Sequence, residues 1–165
     1  MRLTPQPWPI EPGQESVWAY PRPPLVEPVR RRAVIRHGGL MVADTADLVR
    51  VCETSHPPTY YLPRTAFDPA VLVTGSGRTV CEWKGVASYV DLVVPGSPPL
   101  PGIDWWYRES TYPVLSGRVA LYAGPLDEVS LNGERVTPQP GAFYGGWITG
   151  DVVGPFKGGP GSSWW

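Results

Sequence analysis

Short runs of alternating apolar and polar residues, each closed by glycine, proline or asparagine, recur along this chain. AVIRH (33–37) and LMVAD (40–44) flank Gly38-Gly39, and EVSL (128–131) and ERV (134–136) flank Asn132-Gly133. Two-residue loops of this composition supply the positive φ that tight turns require, so each pair of runs reads as a β-hairpin. ASYVDLVV (87–94) is the strongest strand pattern and stops at Pro95, and GRVALY (117–122) gives another strand. ADLVRV (46–51), which follows Thr45 as a candidate cap, fits a short helical turn as well as it fits a strand. PRTAFDPAVL (63–72) predicts a helical turn interrupted at Pro69. A proline-glycine loop, PGSPPLPG (95–102), leads into DWWYRE (104–109), and no internal repeat is evident. The pattern predicts a mostly β, antiparallel domain with little helix.

The ends of the chain read differently. PQPWPIEP and YPRPPLVEP place so many prolines in residues 1–29 that this stretch is expected to run as an extended arm without ladder hydrogen bonds, pinned by Trp8, Trp18 and Tyr20. The expected organisation is an arm over 1–29, a single β-rich domain over 30–158 and a Gly/Ser/Trp tail over 159–165. A chain of 165 residues suits one hydrophobic core. Its 22 prolines and 19 glycines make up about a quarter of the sequence, near the level of disordered chains. Eight tryptophans, eight tyrosines and an apolar content of 42% argue instead for collapse. Many short strands joined by tight turns reconcile the two.

Charge and cysteine usage remove several classes. A net charge of −1, with Arg30–Arg32 the longest basic run, gives no general attraction to nucleic acid or to an anionic membrane. No run of about 18 apolar residues occurs, and MRLTPQPWPIEP lacks the apolar stretch of a leader, so a soluble cytoplasmic protein is expected. Cys52 and Cys81, with only His37 and His56 beside them, fall short of a structural zinc set. Neither a metal nor a cofactor is expected. GSGRT (75–79) and GPFKGGPG (154–161) lack phosphate-loop spacing, and neither a G-x-S-x-G elbow nor an H-E-x-x-H helix is present.

Three segments stand out as polar and aromatic at once: RVCETSHPPTYYLP (50–63), TVCEWKGVASYV (79–90) and FYGGWITGDVVGPFKG (143–158). In this order they resemble the family known as domain of unknown function 427, with its Cys-Pro-Trp-Lys-Gly-x-Ala-Ser-Tyr core. Cys81, Trp83, Lys84, Gly85, Ala87, Ser88 and Tyr89 fit that core, Tyr60, Tyr61 and Pro63 the preceding segment, and Trp105–Tyr107 the following strand, over roughly residues 32–136. Glu82 stands where the family has proline, which alters the approach to Trp83. The resemblance implies a compact, tent-like fold of strongly coiled antiparallel sheets. It implies no settled activity, and a nucleotidyltransferase-like label attached to the family finds no nucleotide-binding pattern in this sequence.

The residues themselves suggest a site. Lys84, beside Trp83 and followed by Gly85, suits an anion, because an ammonium is a point charge and glycine lets a ligand approach the backbone. The alternative is a surface lysine lying over Trp83. Glu53, His56 and Cys81 join Lys84 as candidate catalytic groups, with Cys81 read first as a buried small hydrophobe. An inward-facing Glu53 requires a cation, for which Lys84 and Arg108 are the candidates. Tyr60, Tyr61, Trp83, Lys84, Tyr89, Trp105, Trp106 and Arg108 are the candidate ligand-binding residues. Strand parity forbids Trp105 and Trp106 from sharing a face, and lets Trp83 and Lys84 share one pocket only if Gly85 starts a strand or marks a bulge. Two functions remain open. One is an aromatic-walled pocket for an unidentified small polar or anionic molecule, with or without catalysis. The other is a non-catalytic interaction or oligomerisation domain whose arm and GGPGSSWW tail meet a partner or a second copy in a homodimer.

Overall fold

The computed structural model describes residues 3–81 and 83–165, the side chain of Ser76 aside. Its strands are β1 (Glu15–Ser16), β2 (Leu25–Val29), β3 (Ala33–His37), β4 (Leu40–Thr45), β5 (Leu48–Cys52), β6 (Thr59–Pro63), β7 (Leu72–Cys81), β8 (Gly85–Leu92) and β9 (Leu100–Tyr107). They continue with β10 (Arg118–Leu121), β11 (Glu128–Leu131), β12 (Glu134–Arg135), β13 (Thr137–Pro138), β14 (Trp147–Ile148) and β15 (Val152–Val153). Helical structure among the described residues is confined to single 3₁₀ turns, two of which, Arg64–Ala66 and Pro69–Val71, divide the segment expected to hold a turn broken at Pro69.

A seven-stranded antiparallel sheet in the order β2-β5-β6-β10-β9-β8-β7 and a four-stranded one in the order β12-β11-β3-β4 carry the fold. Both expected hairpins form. β3 and β4 meet across Gly38-Gly39, and β11 and β12 across Asn132 and Gly133, whose φ values of 47° and 80° are those of the turn. ADLVRV resolves as β5, buried on both faces between β2 and β6. β1 and β15 are the exception to antiparallel pairing: they run parallel for two residues each and tie the arm to the chain's last segment.

The arm departs from expectation at its inner end. Residues 25–29 are not free of the ladder but form β2, paired with β5 from Leu25↔Cys52 to Val29↔Leu48. Pro28 is tolerated because β2 lies at the sheet edge, where one side of the strand needs no donor. Further out, Trp18 Nε1 donates to the Pro155 carbonyl at 2.8 Å, Trp8 meets Phe156 edge to face, and Val17, Tyr20, Cys52 and Val152 form a small core of their own. Val17 is fully buried there, so Val17→Ala is expected to cost about 2 kcal/mol in a denaturant melt, methyl loss and residual cavity together.

The seven-stranded sheet packs differently on its two faces. Tyr60, Leu62, Val90, Leu92, Val119 and Leu121 point into the main core shared with the four-stranded sheet. Their strand neighbours Tyr61, Ala87, Trp105, Tyr107 and Ala120 make a second cluster on the opposite face, as the two-residue period of a strand dictates. That second face is the floor of the candidate site.

Candidate functional site

A cavity of about 300 Å³ opens over the second face. The β7–β8 hairpin carries Trp83 and Lys84 in its loop, between the pair Cys81↔Gly85. Gly85 is the first residue of β8 and has φ +111°, a conformation that side-chain-bearing residues rarely adopt. This strand start frees Trp83 and Lys84 from alternation, and both line the cavity. The loop is fixed from the far side: Ser110 Oγ donates to the Lys84 carbonyl at 2.8 Å and the Thr111 hydroxyl to the Trp83 carbonyl. Glu82, the departure from the family motif, lies outside the described residues.

Lys84 reaches inward. Its Nζ sits 5.7 Å from the centre of the Tyr107 ring, so the cation–π partner is Tyr107 and not Trp83. Among the described residues no carboxylate lies within 4 Å of it. Burial opposes its charge, yet the surrounding Tyr61, Cys81 and Glu53 hold the ammonium above the ordinary lysine range. Tyr61 is fully buried and accepts a hydrogen bond from Trp105 Nε1 at 3.3 Å. Burial, with Tyr61 and Cys81 alongside, pushes the Tyr107 hydroxyl well above its usual range, so it stays protonated.

Glu53 finds its cation elsewhere than expected. Arg22 from the arm, not Lys84 or Arg108, approaches its Oε2 at 3.4 Å, and His56 Nε2 lies at 3.5 Å. Arg22 is held there by the Thr54 carbonyl at 2.9 Å, a contact between segments 32 residues apart that periodicity does not reveal. His56 is positioned by Gln139, whose Oε1 accepts from the Gly146 N–H at 2.9 Å. The Gln139 Nε2 must therefore be the group that meets His56 Nδ1 at 3.0 Å, which makes Nδ1 an acceptor and leaves the imidazole proton on Nε2, toward Glu53. Burial foremost, then Lys157, Arg22 and Lys84, lowers the His56 pKa to about 3. The ring is thus neutral, with its basic nitrogen already occupied. Its NMR signals are expected not to titrate between about pH 5 and 8. Because the folded pKa lies below the unfolded one, the ring's contribution to stability is lost only as pH falls below about 6.5 toward 3.

Of the other candidates, Cys81, Tyr89 and Trp105 line the cavity, with Tyr61 and Tyr107 beneath it. Cys81 and Cys52 are both free thiols, and burial raises the Cys52 pKa to about 12. Tyr60, Trp106 and Arg108 do not reach the cavity. Tyr60 faces the main core and stacks on Trp147 at 5.3 Å, while Trp106 and Arg108 turn to the opposite face of β9. Parity separates these three from their neighbours Tyr61, Trp105 and Tyr107.

The sequence pattern marks 143–158 as a notable segment but names no site residue in it, and Gln139 lies outside it. Gln139, Phe143, Tyr144, Gly145 and Lys157 come from the segment after β12 and line the cavity from above. The close approach depends on glycine: a Cβ on Gly145 would lie 2.1 Å from Trp105 Cη2. Lys157 sits 5.5 Å from the Tyr144 ring centre and donates to the Trp165 main-chain oxygen at 3.0 Å. The chain has two lysines, and both line this cavity. That scarcity was the signal available in the sequence.

No helix among the described residues is long and apolar enough to cross a membrane. Comparison with curated proteins yields no match. The profile of one family, described as Domain of unknown function (DUF427), matches residues 25–132, which run from β2 through the Asn132 turn and include the Cys81–Tyr89 hairpin. The chain belongs to the DUF427 family.

Proposed function

We propose that the Lys84 cavity binds a small anionic molecule, with the Lys84 ammonium as the charged contact and Trp83, Tyr89, Trp105 and Tyr107 as its walls. The observation that carries this reading is the enclosed Lys84 Nζ, set against an aromatic face with no carboxylate within 4 Å among the described residues. A cation in a partly desolvated cavity interacts with an entering anion more strongly than one in bulk water, because the effective dielectric is lower. Lys157 adds a second positive group to the same wall, and Glu53 is turned toward Arg22 and His56. Apolar walls with a few placed polar groups are the usual build of a small-molecule site.

Binding, and not acid–base catalysis by His56, is the chemistry this arrangement supports. The imidazole is neutral, its Nδ1 is taken by Gln139, and its Nε2–H faces Glu53. Glu53 and His56 both line the cavity, and His56 is a positioning residue that, with Arg22, turns the Glu53 carboxylate away from Lys84.

The test is a thermal-shift screen of small carboxylates, phosphates and sulfates on the full chain, followed by the same titration on Lys84→Met. A ligand that binds only the folded state must raise its melting temperature. Lys84→Met keeps most of the stem and is expected to change stability by no more than about 1 kcal/mol while abolishing the shift. A well-folded Lys84→Met protein that retains full affinity refutes the assignment.

A further inference from the structure

A second concavity, of about 410 Å³, lies on the opposite face of β8 and β9. Three arginines from separate segments converge on it: Arg64 from the turn after β6, Arg78 from β7 and Arg108 from the first residue after β9. Arg64 lies 5.0 Å above the Trp106 ring, and Thr74, Ser88 and Tyr89 complete the hydroxyl-bearing lining, Tyr89 being shared with the Lys84 cavity. No aspartate or glutamate is among its lining residues, within the described part of the chain.

Six guanidinium groups elsewhere in the molecule are neutralised, while Arg30 and Arg135 stand singly without a carboxylate partner among the described residues. Arg22, Arg31, Arg32, Arg36, Arg50 and Arg118 each have a carboxylate within 4 Å. Among the described residues none of Arg64, Arg78 and Arg108 does. In a chain of net charge −1, three unpaired guanidinium groups around one hollow concentrate positive potential locally. Like charges held together without counter-charge favour an anion that bridges them. The planar, forked geometry of arginine matches tetrahedral oxyanions, with two parallel N–H···O bonds per group.

We infer that this hollow is a binding site for a phosphorylated small molecule, separate from the Lys84 cavity, with Arg78 and Arg108 gripping the phosphate and Arg64 held over Trp106 to receive it. The size of the hollow admits a small organic phosphate, and Gly75 and Gly77 line it. Asp91 Oδ1 stands close to Gly75, where an added Cβ would lie 2.7 Å from it, and is engaged by the Gly102 N–H, so the phosphate is expected on the arginine side of the hollow.

Calorimetric titration of inorganic pyrophosphate at fixed ionic strength tests the assignment on the full chain. The variants are Arg78→Gln, Arg108→Gln and Lys84→Met, each checked for an unchanged melting curve. Both arginines are exposed, so their replacement leaves the core intact. Each Gln variant is expected to weaken pyrophosphate binding by about tenfold or more, the double variant to abolish it, and Lys84→Met to leave it unchanged. Absence of binding to the unaltered protein, or equal affinity in the Gln variants, overturns the proposal. Loss through Lys84→Met alone also overturns it, by moving the phosphate to the first cavity. Binding of oligothymidylate that strengthens with length, without binding of pyrophosphate, overturns it in favour of a nucleic acid strand.

Discussion

Asp104→Asn is expected to become progressively more stable than the unaltered chain as pH rises from about 4 to about 8, the gap growing by on the order of 5 kcal/mol and then levelling off. Asp104 is fully buried on β9, opposite Val90 and Leu121, both of which point into the main core. Neither carboxyl oxygen has a hydrogen-bond partner among the described residues. Burial first, and the field of Asp91 second, raises its pKa to about 8, whereas in the unfolded chain it ionises near the ordinary carboxylate value. The folded state therefore keeps a proton that the unfolded state has lost. Stability contributed below the unfolded pKa is given up as pH climbs to the folded one. Asn has the same shape and never ionises. Taking the difference between the two proteins cancels the opposite, acid-side contribution of His56, which both share. Urea melts at pH 5, 7 and 9 read the effect; an advantage that does not vary with pH would show that the carboxylate finds a counter-charge.

Trp147→Ala is expected to cost about 3–5 kcal/mol, although Trp147 lies beyond the residues that match the family. Its ring is 1% exposed, stacks on Tyr60 at 5.3 Å and donates from Nε1 to the Leu121 carbonyl at 3.2 Å. Truncation removes a large buried surface and leaves a cavity over the paired strands β6 and β10. Phe143→Ala, in the same segment but 72% exposed, is expected to stay within about 0.5 kcal/mol. Equal melting temperatures for the two variants would mean that this segment is not seated by Trp147.

Local turn chemistry made the hairpins legible, because the residues of a two-residue loop dictate its backbone. Gly85 was legible in the same way, as the condition for Trp83 and Lys84 to share a side. β2 was not, since LVEPV sits in a proline-rich stretch and only its place at a sheet edge makes Pro28 acceptable. Parity separated Trp105 from Trp106 correctly, but the side that holds a cavity depends on which face the four-stranded sheet covers, a non-local fact. Tyr60 and Arg108 were drawn into the candidate site by adjacency to residues that face it. Arg22 and Gln139 were missed because each reaches the site from a distant segment, across 31 residues to Glu53 and 83 to His56.

The cavity is built in two unequal parts. Its floor is a sheet face within the residues that match the family, and its roof is a strap from residues 139–157 whose anchorage, Trp147, is buried in the main core and is not among the lining residues. The side chain that seats the strap is therefore not one of those that line the cavity. Exchanging Phe143 or Tyr144 is expected to reshape the mouth while Trp147 keeps the roof in place.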